Sequence, residues 1–225
     1  MNVIQTYWLP TLISAIIAYL LGSISFAIPV TKMFIGKDIR TMGSGNAGFT
    51  NVLRCVGKPA AAITFIGDFA KGIGAIFLGE MIFHLMCPGV ANIDETAKVG
   101  AAVAGLFALL GHLFPLYFGF KGGKGVLISA GIICALDWRT VLILAAVFLV
   151  VLLITKTVSK GSLTVAVLYP VVTCVLNTTR YHSDAWLALT LIALCFAVVV
   201  IYMHRSNIER ILNGTEPKTI AKKNA

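Results

Sequence analysis

The chain is short of charge. Only 12% of its 225 residues are Asp, Glu, Lys or Arg, about half the ~25% usual in soluble proteins. Acidic residues are scarcer still, nine against eighteen basic ones. A surface facing water needs more charge than this, and a surface facing lipid needs almost none. A soluble fold is therefore excluded, and with it a basic nucleic-acid-binding domain. The five cysteines, Cys55, Cys87, Cys134, Cys174 and Cys195, are odd in number and match no metal-ligand spacing. They read as small buried hydrophobes, without a disulfide framework or a metal site. No basic segment precedes the first apolar run, which is itself long enough to span, so a cleavable leader is not expected. The full spacing GxxxxGK[ST] is missing, which sets aside a P-loop nucleotide fold. Internal repeats are also lacking.

What is present is apolar. Hydrophobic residues make up 58% of the chain, and there are 21 glycines. Apolar runs occupy 8–30, 59–86, 99–120, 126–155, 162–178 and 185–203. The run at 126–155 has Asp137 and Arg139 near its middle. As one span it buries two charges at mid-depth, and as two it turns at 137–139. The distribution of Lys and Arg decides, because cytoplasmic loops carry the excess. With seven helices and the N-terminus outside, the inner segments hold Lys32, Lys37, Arg40, Arg54, Lys58, Lys121, Lys124, Lys156, Lys160, Arg205, Arg210, Lys218, Lys222 and Lys223. The outer segments hold Lys98, Arg139 and Arg180, and Lys71 lies within a span. With a single long span the bias vanishes.

The predicted fold is thus an all-α polytopic membrane protein with seven transmembrane helices and a cytoplasmic C-terminus. One transmembrane domain covers residues 1–225, with cytoplasmic loops at about 31–58, 121–125, 156–161 and 204–225. The helix at 126–136 would be only ~16 Å long, short of the ~30 Å hydrocarbon core. It needs shielding by neighbouring helices or a thinned bilayer. Gly100, Ala104 and Gly105 read as a close helix-packing face.

Four polar segments then share the inner face: GSGNAGFTNVLR (43–54), GHLFPLYFGFKGGKG (111–125), TKTVSKGS (155–162) and HRSNIERILNGTEPK (204–218). Converging polar loops usually form a site, and basic ones suit lipid head groups or phosphorylated metabolites. In KGGKG, Gly122 and Gly123 let backbone N–H groups approach an anion, Lys121 and Lys124 add charge, and a helix N-terminus follows. The plainer reading is a basic turn gripping lipid phosphates. The first segment offers Ser44, Asn46 and Asn51 as neutral donors and Arg54 as a bidentate anion partner, or else only a capped turn. His204 and Asn207, at i and i+3, share a helix face. His204 is a proton acceptor, an oxyanion donor or a residue of the membrane interface. Ser159 and Ser162 are candidate nucleophiles, although no Ser–His–Asp spacing accompanies them and helix capping explains both. Asp68 and Lys71 also stand at i and i+3 inside a span. Intramembrane charges suggest function, yet a mutually neutralising structural pair is the preferred reading.

Taken in order, these segments resemble the bacterial acyl-phosphate:glycerol-3-phosphate acyltransferases. The resembling motifs are GSI (22–24), GSGNAG-TN--R (43–54), D--KG (68–72), GH--P----FKGGKGV (111–126), VS-GS (158–162) and HR-NI-R---GTEPK (204–218). Departures fall at Phe49, Ile128, Thr157 and Lys160, and none removes a polar group assigned to the site. The resemblance implies seven helices in a bacterial inner membrane, with the motifs on the cytoplasmic face. It implies transfer of a fatty acyl group from acyl phosphate to the sn-1 hydroxyl of glycerol 3-phosphate. No metal or other cofactor is expected. Arg54, Lys124, Lys121, Gly122, Gly123, Asn46 and Asn51 would hold substrate phosphate, and His204, Asn207, Ser44 and Ser162 would act at the reacting groups. Either a substrate phosphate or His204 takes the hydroxyl proton. The acyl chain would lie between helices, open to membrane lipid. A transporter or binding protein for an anionic phosphorylated substrate is the alternative.

Overall fold

A computed structural model describes residues 3–218, with side chains from residue 7 onward. Lys222 and Lys223, counted above among the inner basic residues, lie outside the described residues. All described regular structure is helical. Six segments are long and apolar enough to cross a membrane: Tyr7–Ile35, Lys58–Met86, Ile93–Phe118, Trp138–Thr155, Val158–Arg180 and Trp186–Met203. The chain divides into two compact units, Met1–Leu136 and Asp137–Ala225.

The first unit contains α1 (Val3–Gly22), α2 (Ala27–Ile35), α3 (Phe49–Cys55), α4 (Lys58–Met86), α5 (Ile93–Leu113) and α6 (Val126–Leu136). The run predicted as a single span at 8–30 is broken between α1 and α2. Ser23 folds its hydroxyl back to the Tyr19 carbonyl, and Pro29 falls in the first turn of α2, where a missing N–H costs nothing. The span predicted at 99–120 also ends early. Pro115 cannot continue a helix, so α5 stops at Leu113 and a 3-10 turn, Leu116–Phe118, follows.

Small residues bring these helices into backbone contact. A Cβ on Gly22 would lie 2.0 Å from the Ala108 carbonyl oxygen, so α1 and α5 meet where only glycine fits. The same holds for Gly131 of α6, whose Cβ would lie 2.1 Å from the Phe69 carbonyl oxygen on α4. Without a hydrophobic drive between helices in lipid, such close packing is what holds them together. Gly100, Ala104 and Gly105 are buried as the close-packing reading requires. Ile128 and Ile132 of the short α6 are fully buried, so its neighbours shield it. Outward positions such as Ile66, Phe77 and Leu85 are exposed, an arrangement suited to lipid and not to water.

The second unit contains α7 (Trp138–Thr155), α8 (Val158–Val175), α9 (Trp186–Met203) and α10 (Arg205–Leu212), with a π-type turn at Leu176–Arg180. The sequence break at 137–139 is a helix cap. The Asp137 carboxylate accepts from the Arg139 and Thr140 N–H groups and the Thr140 hydroxyl, satisfying first-turn donors of α7. The Tyr181 hydroxyl donates to the same carboxylate at 3.0 Å and ties the π-type turn to this cap. Leu149, Val150, Leu153 and Ile154 of α7 face outward. Among the described residues no cysteine forms a disulfide. The reading of all five as buried is corrected, because Cys195 is exposed on α9 and only Cys87 is fully buried.

Candidate active site

In the first unit the polar loop between α2 and α4 is built around Asn51. This side chain is buried. Its amide nitrogen donates to the carbonyls of Ile39, Met42 and Asn46 at 3.3, 3.0 and 3.1 Å, and its oxygen accepts from the Ser44 N–H at 3.1 Å. Asn51 therefore shapes the loop, and its donors are directed inward. Gly43 (φ +54°) and Gly45 (φ +70°) supply the left-handed turns that wrap the loop around it. Ser44 is exposed and Asn46 half-buried on the rim of this loop. Arg54 is exposed near the end of α3, and no described residue holds its guanidinium. A second brace comes from Arg40, which pairs with Asp38 at 2.7 Å and donates to the Phe118 carbonyl at 2.6 Å. The Arg40 hydrogen bond holds the Asp38 carboxyl below its ordinary value, against a smaller opposing effect of burial.

The turn KGGKG departs from the predicted cradle. The Gly122 N–H donates to the Leu113 carbonyl and the Gly123 N–H to the His112 carbonyl. Those two N–H groups close the end of α5 and do not present themselves to an anion. The glycines are required for another reason. A Cβ on Gly122 would lie 2.0 Å from the His112 carbonyl oxygen, and one on Gly123 would lie 2.2 Å from His112 Nε2. The turn is pressed against α5 with no room for a side chain. Lys121 on this turn is exposed and Lys124 half-buried. Lys124 stands two residues before α6, which begins at Val126.

Beneath the turn lies a cluster of three ionisable side chains. Lys71 pairs with Asp68 at 2.8 Å, and both side chains are 2% exposed. The Lys71 ammonium also donates to the Ile24 carbonyl at 2.7 Å and stands 3.0 Å from His112 Nδ1. The neutralising pair expected at 68 and 71 is thus present, with a third member, His112. Ile24 lies in the break between α1 and α2, where its carbonyl has no helical partner, and the lysine supplies one.

In the second unit the polar groups gather at the joint of α9 and α10. His204 sits in the joint itself, so it and Asn207 do not share a face of one continuous helix as expected. His204 is buried, and its Nδ1 lies 2.8 Å from the Val200 carbonyl oxygen. A carbonyl only accepts, so that contact places a proton on Nδ1. Asn207 is buried in the first turn of α10. Its amide donates to Glu216 Oε1 at 2.7 Å. The Ser159 hydroxyl donates to the same oxygen at 2.6 Å, and Arg210 Nε donates to Oε2 at 2.7 Å. Burial raises the Glu216 pKa, but the bonds from Ser159, Asn207 and Arg210 outweigh it and hold the carboxyl below its ordinary value. Ser162 is buried, with its hydroxyl donating to the Val158 carbonyl one turn back. Its proton serves its own helix, not a substrate.

Glu216, Ser159, Arg210 and His112 thus form structure around the predicted residues. Two signals point to Glu216: its place in the motif segment GTEPK and the scarcity of acid, which invites a search for each carboxylate's partners. Among the described residues no three His, Cys, Asp or Glu side chains gather as a metal site would need.

The fold and these groups define a class: an integral membrane protein whose basic, amide-rich polar segments suit phosphorylated ligands. Comparison with known proteins narrows it. A glycerol-3-phosphate acyltransferase family model matches residues 12–214, and the chain belongs to this family. The glycerol-3-phosphate acyltransferase of Clostridioides difficile is 42% identical over 212 residues, covering 94% of this chain and 97% of that protein. That of Lactiplantibacillus plantarum is 41% identical, covering 91% and 90%. Among solved structures, the integral membrane glycerol 3-phosphate acyltransferase PlsY in its glycerol 3-phosphate form superposes with a TM-score of 0.77 at 32% identity. It covers 92% of this chain and 94% of that one. The lysophosphatidic acid form of PlsY gives a TM-score of 0.75 at 31% identity.

Proposed function

We propose that this chain transfers a fatty acyl group from an acyl phosphate to the sn-1 hydroxyl of glycerol 3-phosphate, the acylation that opens phospholipid synthesis. The observation that carries the reading is the family match across residues 12–214, which takes in the polar segments at 43–54, 111–125 and 155–162 whole and the one at 204–218 as far as Gly214. It favours the enzyme over a transporter. The whole chain acts as one acyltransferase domain.

In the reaction the glycerol oxygen attacks the acyl carbonyl carbon. The carbon–oxygen bond to phosphate breaks, and lysophosphatidic acid and inorganic phosphate leave. Both substrates are anions. Arg54, Lys124 and Lys121 are the cations assigned to their phosphates, with Ser44 and Asn46 as neutral donors. Asn51, Gly122 and Gly123 hold the shape of those segments. Bringing two reactants together supplies up to ~7–11 kcal/mol of the barrier. Phosphate leaves readily, so the remaining needs are a proton acceptor and stabilisation of the carbonyl oxygen. A substrate phosphate oxygen takes the proton, and His204 and Asn207 orient the reacting groups, with Ser162 as helix support. A phosphate dianion has a second pKa near 6 and is already in place.

The charge distribution supports seven crossings, an outer N-terminus and a cytoplasmic site in a bacterial inner membrane. The acyl chain of the donor lies between helices, open to membrane lipid. Purified protein supplied with labelled glycerol 3-phosphate and, in turn, acyl phosphate, acyl-CoA and acyl carrier protein tests the assignment. Lysophosphatidate should form with acyl phosphate alone. Turnover with acyl-CoA but not acyl phosphate would overturn the donor.

A further inference from the structure

Lys71 is bound on every side. An ammonium has three protons and no acceptor, and three acceptors surround this one: Asp68 at 2.8 Å, the Ile24 carbonyl at 2.7 Å and His112 Nδ1 at 3.0 Å. Because the ammonium only donates, Nδ1 of His112 accepts and the ring proton sits on Nε2. His112 then meets the polar turn twice. Its carbonyl receives the Gly123 N–H at 3.2 Å. Its ring edge occupies the space that a Gly123 side chain would need, with the Ala47 carbonyl 2.9 Å from the same Cβ position. One buried cation thus fixes the α1–α2 break, which sets the start of α2, and the ring on which the Gly122–Lys124 turn rests. A lone structural ion pair would need neither the histidine nor the Ile24 carbonyl.

We infer that Lys71 and His112 are positioning residues for Lys124: the buried Asp68–Lys71–His112 cluster sets the place from which Lys124 meets a substrate phosphate. This rests on the reading of Lys124 as a phosphate ligand. The cluster does not touch substrate and does not transfer a proton. It keeps the turn at one height, so that phosphate binding does not have to order it.

The test uses the full chain in detergent with acyl phosphate and glycerol 3-phosphate. Lys124→Ala first shows which substrate's KM depends on Lys124. His112→Phe removes the acceptor but leaves the Asp68–Lys71 pair, and Asp68→Asn with Lys71→Met removes both charges together. Each should raise that same KM about tenfold or more, the scale of loss from misplacing a binding group. Adding either to Lys124→Ala should give no further rise, because residues acting through one group are non-additive. His112→Asn, which keeps an acceptor near the Nδ1 position, should restore most of the affinity. Amide exchange at Gly122 and Gly123 should quicken in His112→Phe and recover in His112→Asn. Folded variants with an unchanged KM, or losses that simply add to that of Lys124→Ala, would overturn the inference. A Lys124→Ala enzyme with unaltered kinetics would instead sink the phosphate reading on which it stands.

Discussion

Replacing Glu216 by Gln should loosen the C-terminal tail. The carboxylate accepts from Ser159 at 2.6 Å and from Asn207 and Arg210 at 2.7 Å. Bonds to a charged group contribute about 1.5–3 kcal/mol each and neutral ones about 0.5–1.5. The Arg210 side chain is 37% exposed, so its pair counts for no more than about 1 kcal/mol. Gln keeps a single oxygen for Ser159 and Asn207, at neutral strength, and turns its amide towards Arg210, donor facing donor. The loss sums to about 2–3 kcal/mol, and 1.4 kcal/mol is a factor of ten in equilibrium. Amide exchange over residues 207–216 should therefore quicken about 30-fold or more, with α4 and α5 unaffected. The pH dependence has a definite sign. The folded carboxyl lies below its ordinary value, so its stabilisation is complete above the unfolded pKa of about 4.3 and is lost as pH falls through the folded value. Wild type should show an acid-induced loosening of the tail that Glu216→Gln lacks. Equal exchange in wild type and variant, or the same acid step in both, would refute the reasoning.

Other outcomes follow from the same geometry. Asn51→Asp should be at least as damaging as Asn51→Ala, since it turns a carboxylate oxygen on three carbonyls, and limited proteolysis of the loop at 40–50 reads this. If Asn51 instead served as a direct phosphate ligand, the loop would stay resistant in both variants. Arg54→Ala should leave the fold intact, because the side chain is exposed, and should raise the KM for a phosphorylated substrate; full activity would remove Arg54 from the site. His204→Gln and His204→Asn cannot act as bases near neutral pH, yet should retain measurable turnover that His204→Ala lacks. Loss of turnover in both, with glycerol 3-phosphate binding intact, would make His204 the base.

The apolar runs and the Lys and Arg bias made the helices readable from sequence, because lipid imposes one composition on everything that spans it. The turn at 137–139 was legible through the same bias, which chose two spans over one for the run at 126–155; that Asp137 caps α7 shows only in the structure. The break at 23–26 was not legible. It depends on Lys71, 47 residues away in sequence, satisfying a carbonyl that the break exposes. The polar segments were visible as segments, but what each residue does within them was not. Gly122 and Gly123 suit an anion cradle and a close backbone contact equally well until the His112 carbonyl and ring are in view. Asn51 has the donors of a ligand, and the tertiary fold directs them inward. Glu216 gains meaning only when Ser159, 57 residues earlier, is found beside it.

The central claim is acyl transfer, with attack at the carbonyl carbon and cleavage of the carbon–oxygen bond. Acyl phosphate labelled with heavy oxygen at the bridging position, incubated with glycerol 3-phosphate and the purified enzyme, tests it directly by mass spectrometry of the products. The label should appear in inorganic phosphate, released one for one with unlabelled lysophosphatidic acid. Label in free fatty acid, with phosphate transferred to glycerol 3-phosphate, would contradict the account.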